Sequence, residues 1–373
     1  ATSMRLIKSA VLAAILPVFM AAQAQSAEPI NVGFFSHMSG NFAEYGISSK
    51  NGAELYLDKV KAAGGIEGRP VNFIVEDDRN SPQEAAAVAR KLVGSKVVLA
   101  IGSWSTTASL AAAPIFTEAK IPQISPTSSN PAFTKQSKYQ FRQNNTDDVL
   151  AAYNAATIQQ KLKAETIVIP YSQDDWGVYT GKATADIIKK NGGKVLLLES
   201  VQPNSRDFRP FISKIKALKP QGVFLALPYQ EGAIFLQQLR QAGENIPVGG
   251  GIPLTTPKFL QLAGKDAEGM VLHTLFIATD PAHKDFTDAY KAKYGRAPDL
   301  FAALAYDATA VGLAAIDRVV KSGKPLTGDA VRDELANGPA YNGVTGVTKY
   351  ENGNVHKDPV FITVHDGHFE LLK

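Results

Sequence analysis

Short apolar runs alternate with longer amphipathic stretches from residue 30 almost to the end of this chain. Ile30-Asn31-Val32-Gly33-Phe34-Phe35 reads as a strand, and residues 43–63 as a helix stopped by Gly64-Gly65 at its C-cap. Val71, Phe73 and Val75 alternate as a second strand running into Glu76-Asp77-Asp78. Ser81-Pro82-Gln83-Glu84 then opens a helix as a capping box, with proline at its first position. Residues 97–101 and 121–124 read as buried parallel strands with a helix over 107–119 between them. The rhythm repeats with helices over 148–161, 178–190, 208–218 and 230–241 and strands over 166–169, 195–198 and 223–227. Helices follow over 281–294, 300–321 and 327–337, and the tail, 344–350 and 360–364 about Glu351-Asn352-Gly353-Asn354, reads as a hairpin. Such alternation implies parallel sheets wound by right-handed crossovers. At 373 residues the chain suits two similar α/β lobes rather than one core, with the chain passing between them more than once.

The two strands at 97–101 and 121–124 each end in small hydroxyl residues: Ser103, Ser105, Thr106 and Thr107 after the first, Ser125, Thr127, Ser128 and Ser129 after the second. Ligands of open α/β sheets sit at the carboxyl ends of strands. Hydroxyls and free backbone N–H groups at a helix start suit a carboxylate, because they donate into the positive end of the helix dipole. One such cluster is commonly no more than a helix cap. Two at successive strand ends point to a binding site.

The first residues change the picture of where this chain works. Met4-Arg5-Leu6-Ile7-Lys8 is a positive segment, residues 10–20 are apolar, and Ala22-Gln23-Ala24 and Gln25-Ser26-Ala27 offer small residues for cleavage. Residues 1–27 therefore read as a secretory signal peptide, the apolar run being too short for a spanning helix. No later stretch is read as membrane-spanning. Without Arg5 and Lys8 the 39 basic residues fall to 37 against 35 acidic, a net charge of +2, which gives no basis for a nucleic-acid partner. There are no cysteines, so thiolate catalysis and cysteine-bound metals are excluded. No phosphate-binding glycine loop or nucleophile elbow is present. Of the six histidines only His365-Asp366-Gly367-His368 clusters, and that segment reads as a turn rather than a metal site. No enzyme activity, cofactor or metal is expected.

From Pro29 onward the chain resembles the leucine-isoleucine-valine-binding type of periplasmic solute-binding protein. The resemblance rests on His37-Met38-Ser39-Gly40, Tyr45-Gly46, Asn51-Gly52-Ala53, Ala63-Gly64-Gly65-Ile66, Gly68-Arg69, Asp77-Asp78, Ser105, Ser125-Pro126, Asp175-Trp176-Gly177 and Tyr306-Asp307-Ala308, in that order. It implies the type I periplasmic binding fold: two Rossmann-like lobes with parallel central sheets joined by a multi-strand hinge. The lobes would comprise 28–147 plus 278–355 and 148–277 plus 356–373. The resemblance also implies a periplasmic monomer that hands a small carboxylate to the membrane permease of an ABC importer of the branched-chain amino acid family. By the same resemblance Tyr45 borders the side-chain pocket, and Trp104, Ser105 and Thr106 form the first carboxylate-binding segment. Thr127, Ser128 and Ser129 form the second, with Trp176 and Tyr229 as second-lobe aromatics and Phe301 from the returning helix. The family's ammonium-gripping glutamate falls at Gly251, and its disulfide positions carry Asn80 and Ser105.

Five aromatics, Tyr45, Trp104, Trp176, Tyr229 and Phe301, would then enclose an apolar or planar ligand body. With Gly251 bare, a ligand ammonium would need another acid, and Asp174, Asp175, Glu231 and Asp307 are candidates. An aromatic, keto or branched organic acid, or an amide, would need none. A role as ligand-binding partner of a membrane sensor, and an exported hydrolase, are the remaining alternatives. Capture would follow from hinge closure, a motion for which periplasmic binding proteins are a stock example.

Overall fold

The computed structural model describes residues 27–373; the leader expected over 1–27 lies, apart from Ala27, outside them. The first lobe runs β1 (Ile30–Ser36), α1 (Ala43–Ala62), β2 (Val71–Asp77), α2 (Pro82–Gly94), β3 (Leu99–Gly102), α3 (Thr106–Glu118), β4 (Gln123–Ser125), α4 (Ala132–Lys135) and β5 (Gln140–Arg142). Its five strands are all parallel, in the order β2-β1-β3-β4-β5. The capping box expected at Ser81 is present, with Ser81 Oγ accepting from Glu84 N ahead of Pro82.

The second lobe runs α5 (Asp147–Ala156), β6 (Thr166–Ser172), α6 (Asp175–Lys190), β7 (Lys194–Val201), α7 (Arg209–Leu218), β8 (Gly222–Leu225), α8 (Tyr229–Gln241), β9 (Val248–Gly250), α9 (Pro257–Ala263) and β10 (Val271–Thr274). A π turn, Thr157–Lys161, extends α5 over the helical residues expected there. The order β7-β6-β8-β9-β10 repeats that of the first lobe. In each sheet the first strand sends its successors to opposite sides, so each has a switch point where a crevice opens. The switch points are β1/β3 and β6/β8.

The chain then returns through α10 (Lys284–Tyr294), α11 (Leu300–Ser322), α12 (Gly328–Asn337), β11 (Tyr341–Gly343) and β12 (Gly346–Thr348), and finishes in β13 (Val360–His365) and β14 (His368–Leu371). Helix α11 crosses α1 so closely that a Cβ on Gly52 would lie 2.0 Å from the Ala302 carbonyl oxygen; only glycine fits there. By length and composition α11 could span a membrane, contrary to the sequence reading. In fact 89 % of its most apolar 18-residue window is buried, which marks the core helix of a lobe.

Two expectations are corrected. The second sheet is not wholly parallel, because β13 runs antiparallel to β10 and β14 antiparallel to β13. The tail is accordingly not one hairpin. Residues 351–354 do reverse the chain, through a Glu351–Asn354 bridge, but that turn packs on the first lobe, with Arg142 N donating to Gly353 O at 2.9 Å. The apolar residues 360–364 pair instead with β10, where Ile362 and Val364 are buried.

Three segments cross between the sheets, near 143–146, 275–283 and 349–359. Two of them are stitched by one side-chain amide: Asn145 Nδ2 donates to Lys357 O at 2.9 Å, and Lys357 N donates to Asn145 Oδ1 at 2.8 Å. Buried Asn145 thus serves as a strand partner where no sheet continues.

Candidate functional site

The two switch points face one another across a slot of about 580 Å³, its mouth included. From the first lobe it is lined by Phe42 after β1, Asn80 after β2, Trp104 to Thr107 after β3, Thr127 to Ser129 after β4 and Asn144 after β5. From the second lobe come Asp174 and Trp176 after β6, Pro228 after β8, and Ile252 and Pro253 after β9. Every contribution follows a strand's carboxyl end.

The polar floor is built by the first lobe. Ser105 is the N-cap of α3, its Oγ accepting from Ala108 N at 3.2 Å, so its hydroxyl proton is free to donate into the slot. Thr106 and Thr107 occupy the first turn of α3, whose N–H groups have no intrahelical partner. Beneath them Ser103 O accepts from the Ser125 hydroxyl at 2.7 Å and from one of Ser109 and Ser128, which lie 3.0 and 3.2 Å from it, the other donating within the Ser109–Ser128 pair. Thr127 Oγ1, Trp104 Nε1 and Asn80 Oδ1 are buried without a partner among the described residues. Buried polar atoms are rarely left so, and these three belong to residues lining the slot.

Not every expected hydroxyl is available. Ser129 Oγ donates to Asp147 Oδ1 at 2.9 Å, and Ser128 Oγ pairs with Ser109 Oγ at 2.7 Å. Both brace the loop, leaving Ser105, Thr106 and Thr127 as the hydroxyls that face the slot. The loop is further held from below by Arg142, fully buried, which donates to Ser128 O, to Asn130 O at 2.8 Å and to Asn354 Oδ1 at 2.8 Å. Burial lowers its pKa to about 10. Among the described residues no Lys, Arg or His lines the slot, and the guanidinium lies behind it.

Four expected residues stand off the lining. Tyr45 lies behind Trp104, the two rings stacked at 3.8 Å and 8°. Phe301, fully buried, packs edge-on against both, at 5.1 Å from Tyr45 and 5.6 Å from Trp104. Tyr229 turns its hydroxyl to Asn41 O. Gly251 carries no side chain, though a Cβ there would meet only ordinary contacts, Trp176 Cζ2 at 3.8 Å among them.

Of the four acids considered for an ammonium, only Asp174 lines the slot. It caps α6, accepting from Gly177 N at 2.7 Å and Ser172 Oγ at 3.0 Å, and burial raises its pKa. The backbone approach that orients Trp176 needs Gly177, where a Cβ would lie 2.0 Å from Ser172 O. Asp175 accepts from Thr107 Oγ1 at 2.8 Å across the slot. Glu231 accepts from Asn204 N at 2.9 Å, and Asp307 holds the backbone of Val344 and Thr345.

Sequence reasoning passed over Phe42, Asn80, Asn144, Ile252 and Pro253 as site residues. The available signal was position, since each follows a strand end. The His365-to-His368 segment is the β13–β14 turn. There Glu268, His365 and Asp366 bring three ligand atoms within 4.8 Å of one another, all exposed.

The periplasmic binding protein family model matches residues 29–367. The chain belongs to that family. As a periplasmic binding protein it is 26 % identical over 337 residues to the leucine-, isoleucine-, valine-, threonine- and alanine-binding protein of Pseudomonas aeruginosa, covering 90 % of each chain. It superposes on the branched-chain amino acid substrate-binding protein LivJ of Streptococcus pneumoniae, solved with isoleucine, with a TM-score of 0.84 and 29 % identity, covering 92 % of this chain and 98 % of that one. At the level of fold alone it matches a solute-binding protein from R. palustris solved with benzoate, with a TM-score of 0.84 and 21 % identity, covering 92 % and 95 %.

Proposed function

We propose that this protein is the extracytoplasmic solute-binding component of an ABC importer, capturing a small carboxylate of the neutral amino acid type by closure of its two lobes. The observation that carries this reading is the convergence of both hydroxyl loops and the start of α3 on one slot whose opposite wall is Trp176, Asp174 and Pro228. The carboxylate would accept from Ser105, Thr127 and the first N–H groups of α3; charge-assisted bonds of this kind contribute about 1.5–3 kcal/mol each. Asp174 would take the ammonium. The lobes, 28–147 with 278–355 and 148–277 with 356–373, would move as bodies about the three crossings, and ligand contacts to both supply the differential affinity that closes them. Export with removal of residues 1–27, a monomeric state and delivery to a membrane permease complete the reading.

A second reading, favoured by bare Gly251 and by a floor of neutral donors, is a carboxylate without an ammonium, such as an aromatic or keto acid. Native mass spectrometry of the purified protein followed by a thermal-shift panel separates the two. A ligand at about 100 times its dissociation constant adds roughly 2.7 kcal/mol of stability. Stabilisation by leucine that is lost in Asp174→Asn supports the amino acid. Stabilisation by benzoate or a keto acid that survives Asp174→Asn supports the second reading, and stabilisation by no carboxylate rejects both.

A further inference from the structure

The helices whose first turns face the slot are capped differently. Helix α3 is capped by its own Ser105, and α6 by its own Asp174. Helix α8 follows Pro228, which offers no side-chain cap. Its first N–H, on Tyr229, is instead satisfied from the other lobe: it donates to the Tyr45 hydroxyl at 2.8 Å. The same hydroxyl donates to Pro253 O at 2.6 Å, so one oxygen of the first lobe closes two backbone groups of the second.

We infer that Tyr45 is the closure latch of this protein: a positioning residue that caps α8 in trans only when the lobes are shut, and through Trp104 aligns the slot's ring wall. Opening the lobes must break both bonds and expose a phenol that is fully buried here. A buried helix end without a cap is costly, so the trans cap favours the shut state specifically. Within its own lobe the ring is fixed by stacking on Trp104 and by edge-on packing against Phe301 at 5.1 Å, and across the closure it meets Tyr229 edge-on at 4.8 Å. Burial holds the phenol's pKa well above its usual value, so it stays a neutral donor throughout the physiological range. Tyr229 adds a companion bond from its hydroxyl to Asn41 O. Because Tyr45 fills the space before α8, the anion-favouring end left open to a ligand is that of α3. This inference rests on the closure reading above.

The test needs no identified ligand. The chain has no cysteine, so spin labels at Lys91→Cys and Lys182→Cys, exposed positions on α2 and α6, report the inter-lobe distance without background. Tyr45→Phe deletes the hydroxyl and keeps the ring. Losing both bonds raises the open-to-closed ratio about tenfold. Tyr229→Phe, which leaves the trans cap intact, raises it about threefold. With excess leucine, and separately benzoate, as probes, whichever binds should dissociate faster from Tyr45→Phe with its association rate nearly unchanged. Superimposed distance distributions for wild type and Tyr45→Phe would overturn the latch alone. A wild type locked at one distance under every condition would remove the closure reading and the latch together.

Discussion

The two walls of the slot are made of different material. The first lobe's wall carries the rings of Phe42 and Trp104 over a buried polar lattice in which Ser103 O, Ser109, Ser125 and Ser128 satisfy one another and Arg142 pins the loop carbonyls from below. The second lobe's wall is Trp176, Pro228, Ile252 and Pro253, with one acid, Asp174. A fully satisfied buried network is rigid, and donors fixed in advance need no reorganisation when an anion arrives. Rings and prolines contribute area and exclude water but specify no charge. On the proposed function the floor would select the carboxylate, and the facing wall would retain it by closing. Damage to the floor should cost stability as well as binding, whereas damage to the facing wall should cost binding alone.

The largest expected effect is at Arg142. Replacing it with leucine leaves the carbonyls of Ser128 and Asn130 without their donor, and an acceptor left unpaired on burial costs about 1–3 kcal/mol. Urea denaturation of Arg142→Leu should show that loss, with ligand stabilisation abolished. A loss under about 1 kcal/mol would mean that the floor does not depend on its buried cation.

Trp176 gives the opposite signature. It is only half-buried and lines the slot from the second lobe, so Trp176→Ala should leave unliganded stability nearly intact. Affinity for the ligand found in the thermal-shift panel should fall by about 2 kcal/mol, as for an aromatic anchor at an interface. Ser105→Ala is the control on the other wall, losing the α3 cap for about 1 kcal/mol of stability together with a ligand donor. Calorimetric titration beside denaturation separates the two. Equal losses of unliganded stability in both variants would erase the distinction between the walls.

How much of this was legible in the sequence follows the same division. The floor was readable because hydroxyl runs after apolar strands are a local signal, and the strand-end rule converts position into function. The strand holding the floor's cation was not. Gln140-Phe141-Arg142 carries polar side chains that are buried only because Gln140 finds Ala113 O and Thr117, and Arg142 finds the 128–130 loop. Hydrophobic periodicity cannot see a strand whose polar groups are paired across the fold. Val271–Thr274 was missed for a similar reason, since His273 interrupts its apolar run and is buried against Asn154. Tyr45 read as a pocket wall because its partners, Tyr229 N and Pro253 O, are brought to it only by the other lobe. The family resemblance named residues that line the slot or stand directly behind it, and the inter-lobe geometry decided which atoms face inward.

Gly251 sharpens the comparison by charging the apolar wall. Its backbone, φ −83° and ψ 178°, is open to any residue, and a Cβ meets nothing closer than 3.7 Å. Gly251→Glu should therefore fold and place an acid beside Trp176. If the native ligand lacks an ammonium, its affinity should fall about tenfold while leucine gains by a similar factor, roughly 1.4 kcal/mol each way. If Asp174 already holds an ammonium, leucine binding should change little, and Asp174→Asn should abolish it. Competition titration of both variants with leucine and benzoate reads the outcome.

The smallest expected effect lies at Asp147, where the two walls meet. Its Oδ1 accepts from Ser129 Oγ of the floor and from Thr180 Oγ1 of α6, and its Oδ2 has no partner. Burial raises its pKa to about 6, the two hydroxyls and Arg142 opposing and Asp148 adding to the rise. The unfolded chain releases this proton near pH 4 and the folded chain near 6, so between those values the folded state binds more protons. Stability must then fall as pH rises through that window and level off above it. Asp299, buried and also raised to about 6, contributes in the same sense. Asp147→Asn keeps an acceptor for both hydroxyls and removes the charge. It should flatten the decline between pH 4 and 6 and leave the protein more stable at pH 7 by on the order of 1 kcal/mol. Denaturation midpoints of wild type and Asp147→Asn across that range give the comparison directly. Parallel curves would mean that Asp147 is ionised in the folded protein across the whole window, its charge already balanced by Arg142 and the two hydroxyls.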